Sequence, residues 1–185
     1  MDYEKIIKLC FKEVREALHF LNNDDKSEKL GVGKSGDQTY KIDKLAENAI
    51  IDVVKDNIPD CYIISEEAGN LGKESNEITV LIDPIDGSTN AIHNIPIFSS
   101  TILIAKGKKF SETISTGVYD LNNDEIFLSS ENKIPTLNEK QINVSSTETL
   151  DSAIISINPR ALNNLKKSKI KVNAIGPGPT FPSSR

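Results

Sequence analysis

Two carboxylates, Asp83 and Asp86, stand three residues apart at the end of the apolar run Val80-Leu81-Ile82. Pro84 and Ile85 lie between them, and Gly87-Ser88-Thr89-Asn90 follows. Carboxylates that point into one small volume collect hard divalent cations, which take oxygen ligands. Gly87 removes the Cβ that would hold a ligand away from the backbone. Ser88 and Thr89 are expected to cap a helix whose first N–H groups would face a phosphate. The chemistry suggested is Mg²⁺ held against a phosphate ester. Taken alone, Asp-Pro-x-Asp-Gly is most often a surface turn, because each of these residue types favours turns. What argues for more is the strand in front of it and a second acidic strand end upstream.

The run into Asp83 reads as a buried strand, and Pro84, which has no N–H, is expected to end its ladder. Cys61-Tyr62-Ile63-Ile64-Ser65 is a second β-prone run, and it ends at Glu66-Glu67. Two such strands side by side would bring Glu66, Asp83 and Asp86 within reach of shared metal ions, since loops at strand ends carry ligands without disturbing the core. The spacing of Ile6, Ile7, Cys10, Val14, Ala17, Leu18 and Leu21 predicts a helix over Tyr3–Leu21, ended by Asn22-Asn23-Asp24-Asp25. A second helix is predicted from about Thr39 to Ile58, stopped by Pro59. Asp43 and Glu47 sit one turn apart near its start, where the helix dipole alone favours acids, so each reads first as structural. Between the helices, Lys26 to Gln38 carries Gly31, Gly33, Gly36 and Lys34. It is either a plain mobile connection or a lid over the phosphate site with Lys34 as one of its charges.

After the acidic motif, Phe98–Ala105 is predicted as an interior strand turned by Gly107. Thr113–Tyr119 and Glu125–Ser129 form a hairpin around Asn122-Asn123-Asp124, and Gly69 to Glu77 is expected to be a polar connection. His19 reads as a charge at a helix C-terminus. His93 reads as a substrate-edge or packing residue, because Mg²⁺ prefers oxygen.

With 37% hydrophobic and 26% charged residues, the 185-residue chain is globular in composition. A net charge of -5 without a compensating basic stripe argues against a nucleic-acid partner; Lys166-Lys167-Ser168-Lys169 suits a helix end. Cys10 and Cys61 read as buried thiols in a reducing cytoplasm. No apolar run approaches membrane-spanning length, and the N-terminus lacks the basic-then-apolar order of a signal peptide. The expected setting is cytoplasmic, with no membrane partner.

Ile82-Asp-Pro-Ile-Asp-Gly-Ser-Thr-Asn90, preceded by Ile64-Ser-Glu-Glu67 and by Asp37-x-Thr-x-x-x-Asp43, resembles the inositol monophosphatase family. Asn94-Ile-Pro-Ile-Phe-Ser-Ser100 further resembles its archaeal branch, which hydrolyses both inositol phosphates and fructose 1,6-bisphosphate. The similarity covers roughly Tyr3 to Ile175. The resemblance implies an α+β fold, a layered αβαβα sandwich of the sugar-phosphatase type, and Mg²⁺ as cofactor. It implies that Glu66 bridges the metals, that Asp83 is shared between two of them, that Ile85 lends its carbonyl and that Asp86 binds the second. Asp86, Gly87, Ser88 and Thr89 would meet the phosphate. The Ser88 hydroxyl, paired with Asp43, would join Glu66 in setting the attacking water, and Lys34 would lie in a mobile metal-binding loop. The partner would be a small-molecule phosphate ester, inositol monophosphate or fructose 1,6-bisphosphate, and the assembly a homodimer. Two alternatives stay open: a catalytically silent phosphate- or metal-binding remnant, and a 3'-phosphoadenosine-type nucleotide phosphatase.

Three segments are expected. Residues 1–145 form the metal- and phosphate-binding domain. Residues 146–175 begin a C-terminal α/β subdomain, with a strand at Ala153–Ile157, a helix from Asn158 through Leu165 and a strand at Ile170–Ile175. Residues 176–185 are an irregular Pro/Gly-rich tail. The chain departs from the family pattern at Glu131-Asn132-Lys133-Ile134-Pro135, where a glycine-rich turn is usual. The family would also continue past Ile175 into a long helix, further strands and a Trp-Asp motif supplying one more metal ligand. The expectation is a truncated or frame-shifted member of reduced activity, the alternative a genuinely short form completed by another chain. Its final layers would be incomplete, leaving an apolar patch around the Ala153 and Ile170 strands that would make the chain poorly soluble or pair it with a second copy.

Overall fold

Asp2 accepts a bond from the Lys5 N–H at 3.2 Å and so opens helix α1 (Tyr3–Leu18), which buries Ile6, Ile7, Cys10, Phe11 and Val14 along one stripe. The computed structural model describes residues 1–34, 36, 38–149, 152, 154–157 and 174–177. Helix α1 stops one turn short of the expected Leu21. The Asn/Asp run after it does more than end it: Asn22 caps a short helix, α2 (Asn23–Ser27), by accepting from the Asp25 N–H at 2.9 Å. The expected loop from Lys26 to Gln38 is also partly ordered. Strand β1 (Lys29–Val32) pairs antiparallel with β2 (Gln38–Tyr40), and the Gln38 amide donates back to the Gly31 carbonyl. Helix α3 (Lys41–Asn57) follows and gives way at Ile58, ahead of Pro59.

Strands β3 (Cys61–Ser65), β4 (Gly69–Leu71), β5 (Ile78–Asp86), β6 (Ser99–Lys106), β7 (Thr113–Asp120), β8 (Glu125–Ser130), β9 (Thr136–Leu137) and β10 (Lys140–Gln141) form one mixed sheet. Its spatial order is β10-β9-β8-β7-β6-β5-β3-β4. All neighbours are antiparallel except β3 and β5, which run parallel from Cys61↔Ile78 to Ser65↔Ile82. The polar stretch after Glu67 therefore hides a strand, β4, at the sheet edge. Helices α1 and α3 lie side by side on the sheet, where Ile7, Phe11 and Ile50 join Val80, Ile82, Ile102 and Ile104 in one apolar cluster. The Phe11 and Tyr119 rings approach to 5.5 Å between centroids. Cys10 and Cys61 are buried free thiols. Among the described residues no helix is long and apolar enough to cross a membrane.

The chain divides into two compact units, Met1–Ile142 and Asn143–Arg185. In the second, β11 (Ile154–Ile157) pairs in parallel with β12 (Ala174–Pro177). Gly176 and Pro177, expected in the irregular tail, are thus part of a strand, with Pro177 at its last position. The helix expected from Asn158, the Lys166–Lys169 run, the start of the Ile170 strand and residues 178–185 lie outside the described residues. So does the apolar patch expected around Ala153 and Ile170.

Candidate metal and phosphate site

Because β3 and β5 are parallel neighbours, their C-terminal ends open on the same edge of the sheet. The Glu66 N–H donates to the Ile82 carbonyl at 3.3 Å, which sets Glu66 beside Asp83. Contrary to expectation, Pro84 does not end β5. The strand runs to Asp86, with a register shift between Asp83↔Thr101 and Asp86↔Ser99. A bulge absorbs the residue that cannot donate, and pairing resumes two residues later. Gly87 follows in the left-handed region (φ 94°), a conformation a side chain would strain, and α4 (Ser88–Ile92) starts there. Ser88 does not cap that helix. Its hydroxyl donates to the Ile85 carbonyl at 3.0 Å, while Gly87 holds the cap position. Thr89 lies partly exposed in α4, and Asn90 closes the loop behind it by donating to the Ile97 carbonyl at 2.7 Å. His93 is exposed at the end of α4.

Asp43 reaches the same corner from the first turn of α3. Its Oδ2 accepts from the Tyr40 N–H at 2.8 Å, while its Oδ1 is buried without a partner. Burial raises its pKa to about 6, against the lowering influence of the Ser88 hydroxyl and the Tyr40 amide. The Ser88 hydroxyl thus sits near enough to bear on Asp43 while its well-formed bond goes to the Ile85 carbonyl. Asp83 is pushed further, to about 8, first by burial, then by the charges of Glu66 and Asp86 and by a hydrogen bond with Glu66. Its Oδ1 too is buried without a partner. Burial also raises Asp86 and Glu67.

Among the described residues no three His, Cys, Asp or Glu side chains stand gathered as a ready metal cage. The chemistry of the acids nonetheless fits a hard divalent cation: the Oδ1 atoms of Asp43 and Asp83 are buried without a partner, and the neighbouring acids raise the pKa of Asp83. Glu66, Asp83, Asp86 and the Ile85 carbonyl are the groups that would hold it.

Lys34 lies with Ser65, Glu66, Ala68, Gly69 and Asn70 around a pocket of about 490 Å³. Its N–H donates to the Glu67 carbonyl at 3.2 Å. Thr39 donates to the Glu67 carboxylate, and a Cβ at Gly33 would collide with that carboxylate. The hairpin bearing Lys34 is therefore docked on the Glu66-Glu67 turn, a role for Gly33, Thr39 and Glu67 that sequence reasoning missed. It also undervalued Glu47, which is fully buried and accepts from Ser65 and Ala68. A signal existed: Asp43 and Glu47 both fall on the apolar stripe of Ile42, Ala46 and Ile50, where a solvated acid has no place.

A helix-backed mixed sheet with acids at two parallel strand ends defines an α+β sandwich of the sugar-phosphatase class. The chain belongs to the inositol monophosphatase family, whose sequence profile matches residues 3–173. It is 32% identical over 177 residues to the fructose-1,6-bisphosphatase/inositol-1-monophosphatase of Methanocaldococcus jannaschii, covering 95% of this chain and 67% of that protein. It is 34% identical over 124 residues to an inositol-1-monophosphatase of Synechocystis, covering 66% and 42% of the two chains, and 33% identical over 123 residues to the Nus factor SuhB of Escherichia coli, covering 66% and 45%. The fold superposes on the crystal structure of an inositol monophosphatase-fructose 1,6-bisphosphatase with a TM-score of 0.80 at 31% identity, over 98% of this chain and 69% of that one. The matched stretch spans less than half the length of the Synechocystis and E. coli relatives.

Proposed function

We propose that this chain carries the metal- and phosphate-binding portion of a Mg²⁺-dependent phosphomonoester hydrolase with water as nucleophile, acting on inositol monophosphate, fructose 1,6-bisphosphate or both. The observation that carries the reading is the convergence of acids from three elements, Asp43 of α3, Glu66 after β3 and Asp83 of β5, in a corner where burial and the nearby Glu66 charge raise the pKa values of Asp43 and Asp83. Perturbed carboxyls clustered at strand ends mark functional sites. The names of the Methanocaldococcus and Synechocystis relatives support the substrate class.

Glu66, Asp83, Asp86 and the Ile85 carbonyl would hold Mg²⁺, which would supply a water of lowered pKa and offset charge on the phosphoryl oxygens. Asp43 Oδ1 is available to accept from the Ser88 hydroxyl, which turns away from Ile85 to do so and then accepts from the attacking water. A carboxyl whose pKa lies at about 6 can take that proton near neutrality. The Gly87 and Ser88 N–H groups, with Thr89, receive the phosphoryl oxygens. Lys34, on the same pocket as Glu66, adds positive charge for a dianionic substrate. Phosphoryl transfer asks mainly for such positioning and electrostatics. A cytoplasmic homodimer is part of the same proposal, and the two free thiols suit a reducing compartment.

The test is phosphate release from inositol 1-phosphate, fructose 1,6-bisphosphate and 3'-phosphoadenosine 5'-phosphate, with and without Mg²⁺. Release from either of the first two only when Mg²⁺ is present is expected. Preference for the third would reassign the protein to nucleotide phosphatases. The second reading is a catalytically silent phosphate- or metal-binding module. A ligand-induced rise in melting temperature without turnover would establish it.

A further inference from the structure

We infer that Glu47 is a positioning residue for the metal site: it fixes the turn carrying Glu66 to the helix carrying Asp43. The inference rests on the metal-site reading above. Glu47 is 0% exposed. A single oxygen, Oε1, accepts from the Ser65 hydroxyl at 2.5 Å and from the Ala68 N–H at 2.7 Å. The other, Oε2, accepts from Lys44 Nζ at 2.8 Å. Ser65 is the last residue of β3 and Ala68 directly precedes β4. One oxygen thus grips both ends of the turn that bears Glu66 and Glu67.

Asp43 lies four residues earlier on the same helix, a rise of about 6 Å. Helix α3 therefore presents one acid to the corner and a second that anchors the turn opposite it. Stability alone does not call for this arrangement. A buried charge is costly to desolvate, and a well-packed apolar residue of similar volume serves a core as well or better. What a two-donor acceptor adds is direction: it fixes where Glu66 stands relative to Asp43 and Asp83. Outer contacts of this kind orient metal ligands, and their loss commonly weakens metal binding about 10- to 100-fold.

The experiment is calorimetric titration of Mg²⁺ and Mn²⁺ into the wild type, Glu47→Ala, Glu47→Gln and Lys44→Ala, with thermal melts to verify folding and amide exchange read at Ala68. Glu47→Ala is expected to raise the Kd about 10- to 100-fold and to speed exchange of the Ala68 N–H. Glu47→Gln keeps an oxygen for both Ser65 and Ala68 and is expected to restore a Kd near the wild-type value. Lys44→Ala removes only the Oε2 partner and is expected to lower the melting temperature without moving the Kd. If Glu47→Ala does not fold, Ser65→Ala, which removes one of the two Oε1 donors, carries the test with a smaller rise. A folded Glu47→Ala with wild-type Kd overturns the inference, and so does a Glu47→Gln as impaired as the alanine variant, which would assign the effect to charge. A wild type that binds neither cation overturns the metal-site reading as well, so the two failures are told apart by the first titration.

Discussion

Two acidic clusters of this molecule use the same residue types to opposite effect. In the turn between β7 and β8, Asp120 Oδ1 accepts from the Asn122 and Asn123 N–H groups at 2.9 and 3.0 Å, and its Oδ2 accepts from the Asn123 side chain at 2.8 Å. Asp124 accepts from the Tyr119 hydroxyl at 2.6 Å and from Arg15 at 3.1 Å, and these partners hold its pKa below the usual carboxylate range. At the β3–β5 corner, Asp83 and Asp43 are pushed up to about 8 and about 6, and each keeps one buried oxygen without a partner. The first cluster spends its acceptors on the fold. The second holds them in reserve, and that separates a structural acid from one able to bind a ligand.

The sharpest way to break this contrast is to neutralise one acid from each cluster. Asp83→Asn is expected to reduce Mg²⁺-dependent phosphate release by about a hundredfold or more, while Asp124→Asn leaves the rate unchanged. Equal losses in the two variants would erase the distinction.

Proton linkage gives a second contrast. Without metal, the folded protein holds protons on Asp43 to about pH 6 and on Asp83 to about pH 8, whereas the unfolded chain releases both near the ordinary value of 3.8. The native state binds more protons in that window, so stability falls as pH rises from about 4 to about 8. Thermal melts in chelator are expected to show the midpoint declining over this range, and saturating Mg²⁺ to flatten the decline by favouring the ionised carboxylates. Asp124 works in the opposite sense: with its folded pKa lowered, its contribution is present at neutral pH and is lost only below the ordinary carboxylate value.

Smaller effects belong to the structural cluster. Tyr119→Phe removes the hydroxyl donor to Asp124 and is expected to cost about 1 kcal/mol of stability in denaturant titration, with phosphate release intact. Arg15→Ala breaks an exposed ion pair and is expected to cost about 0.5 kcal/mol or less, an effect that salt diminishes further.

Much of the site was legible along the chain. Apolar runs ending in Glu66 and in Asp83 announce strands that deliver acids, and the spacing of Ile6, Ile7, Cys10 and Val14 announces a helix, which packs on β6, β7 and β8 of the same sheet. Local signals were misread where a partner strand decided the outcome. Pro84 looks like a strand terminator, yet β6 accommodates it in a bulge and recovers pairing at Ser99. The glycine-bearing segment around Lys34 looks like an open loop, yet β1 finds β2, and Gly33 lets the hairpin seat against Glu67. Ser88 looks like a helix cap, yet the left-handed Gly87 takes that place and leaves the hydroxyl to Ile85.

The sequence by itself determined which residues carry charge, which segments alternate between helix and strand, and that acids would stand at two strand ends, because these follow from residue type and short-range periodicity. Only the tertiary structure decided that β3 and β5 lie parallel and adjacent, that Asp43 enters the same corner, and that Glu47 turns inward to grip Ser65 and Ala68. The reason is physical. A carboxylate's proton affinity and hydrogen-bond partners depend on burial and on charges brought close from distant parts of the chain, and neither exists until the layers pack.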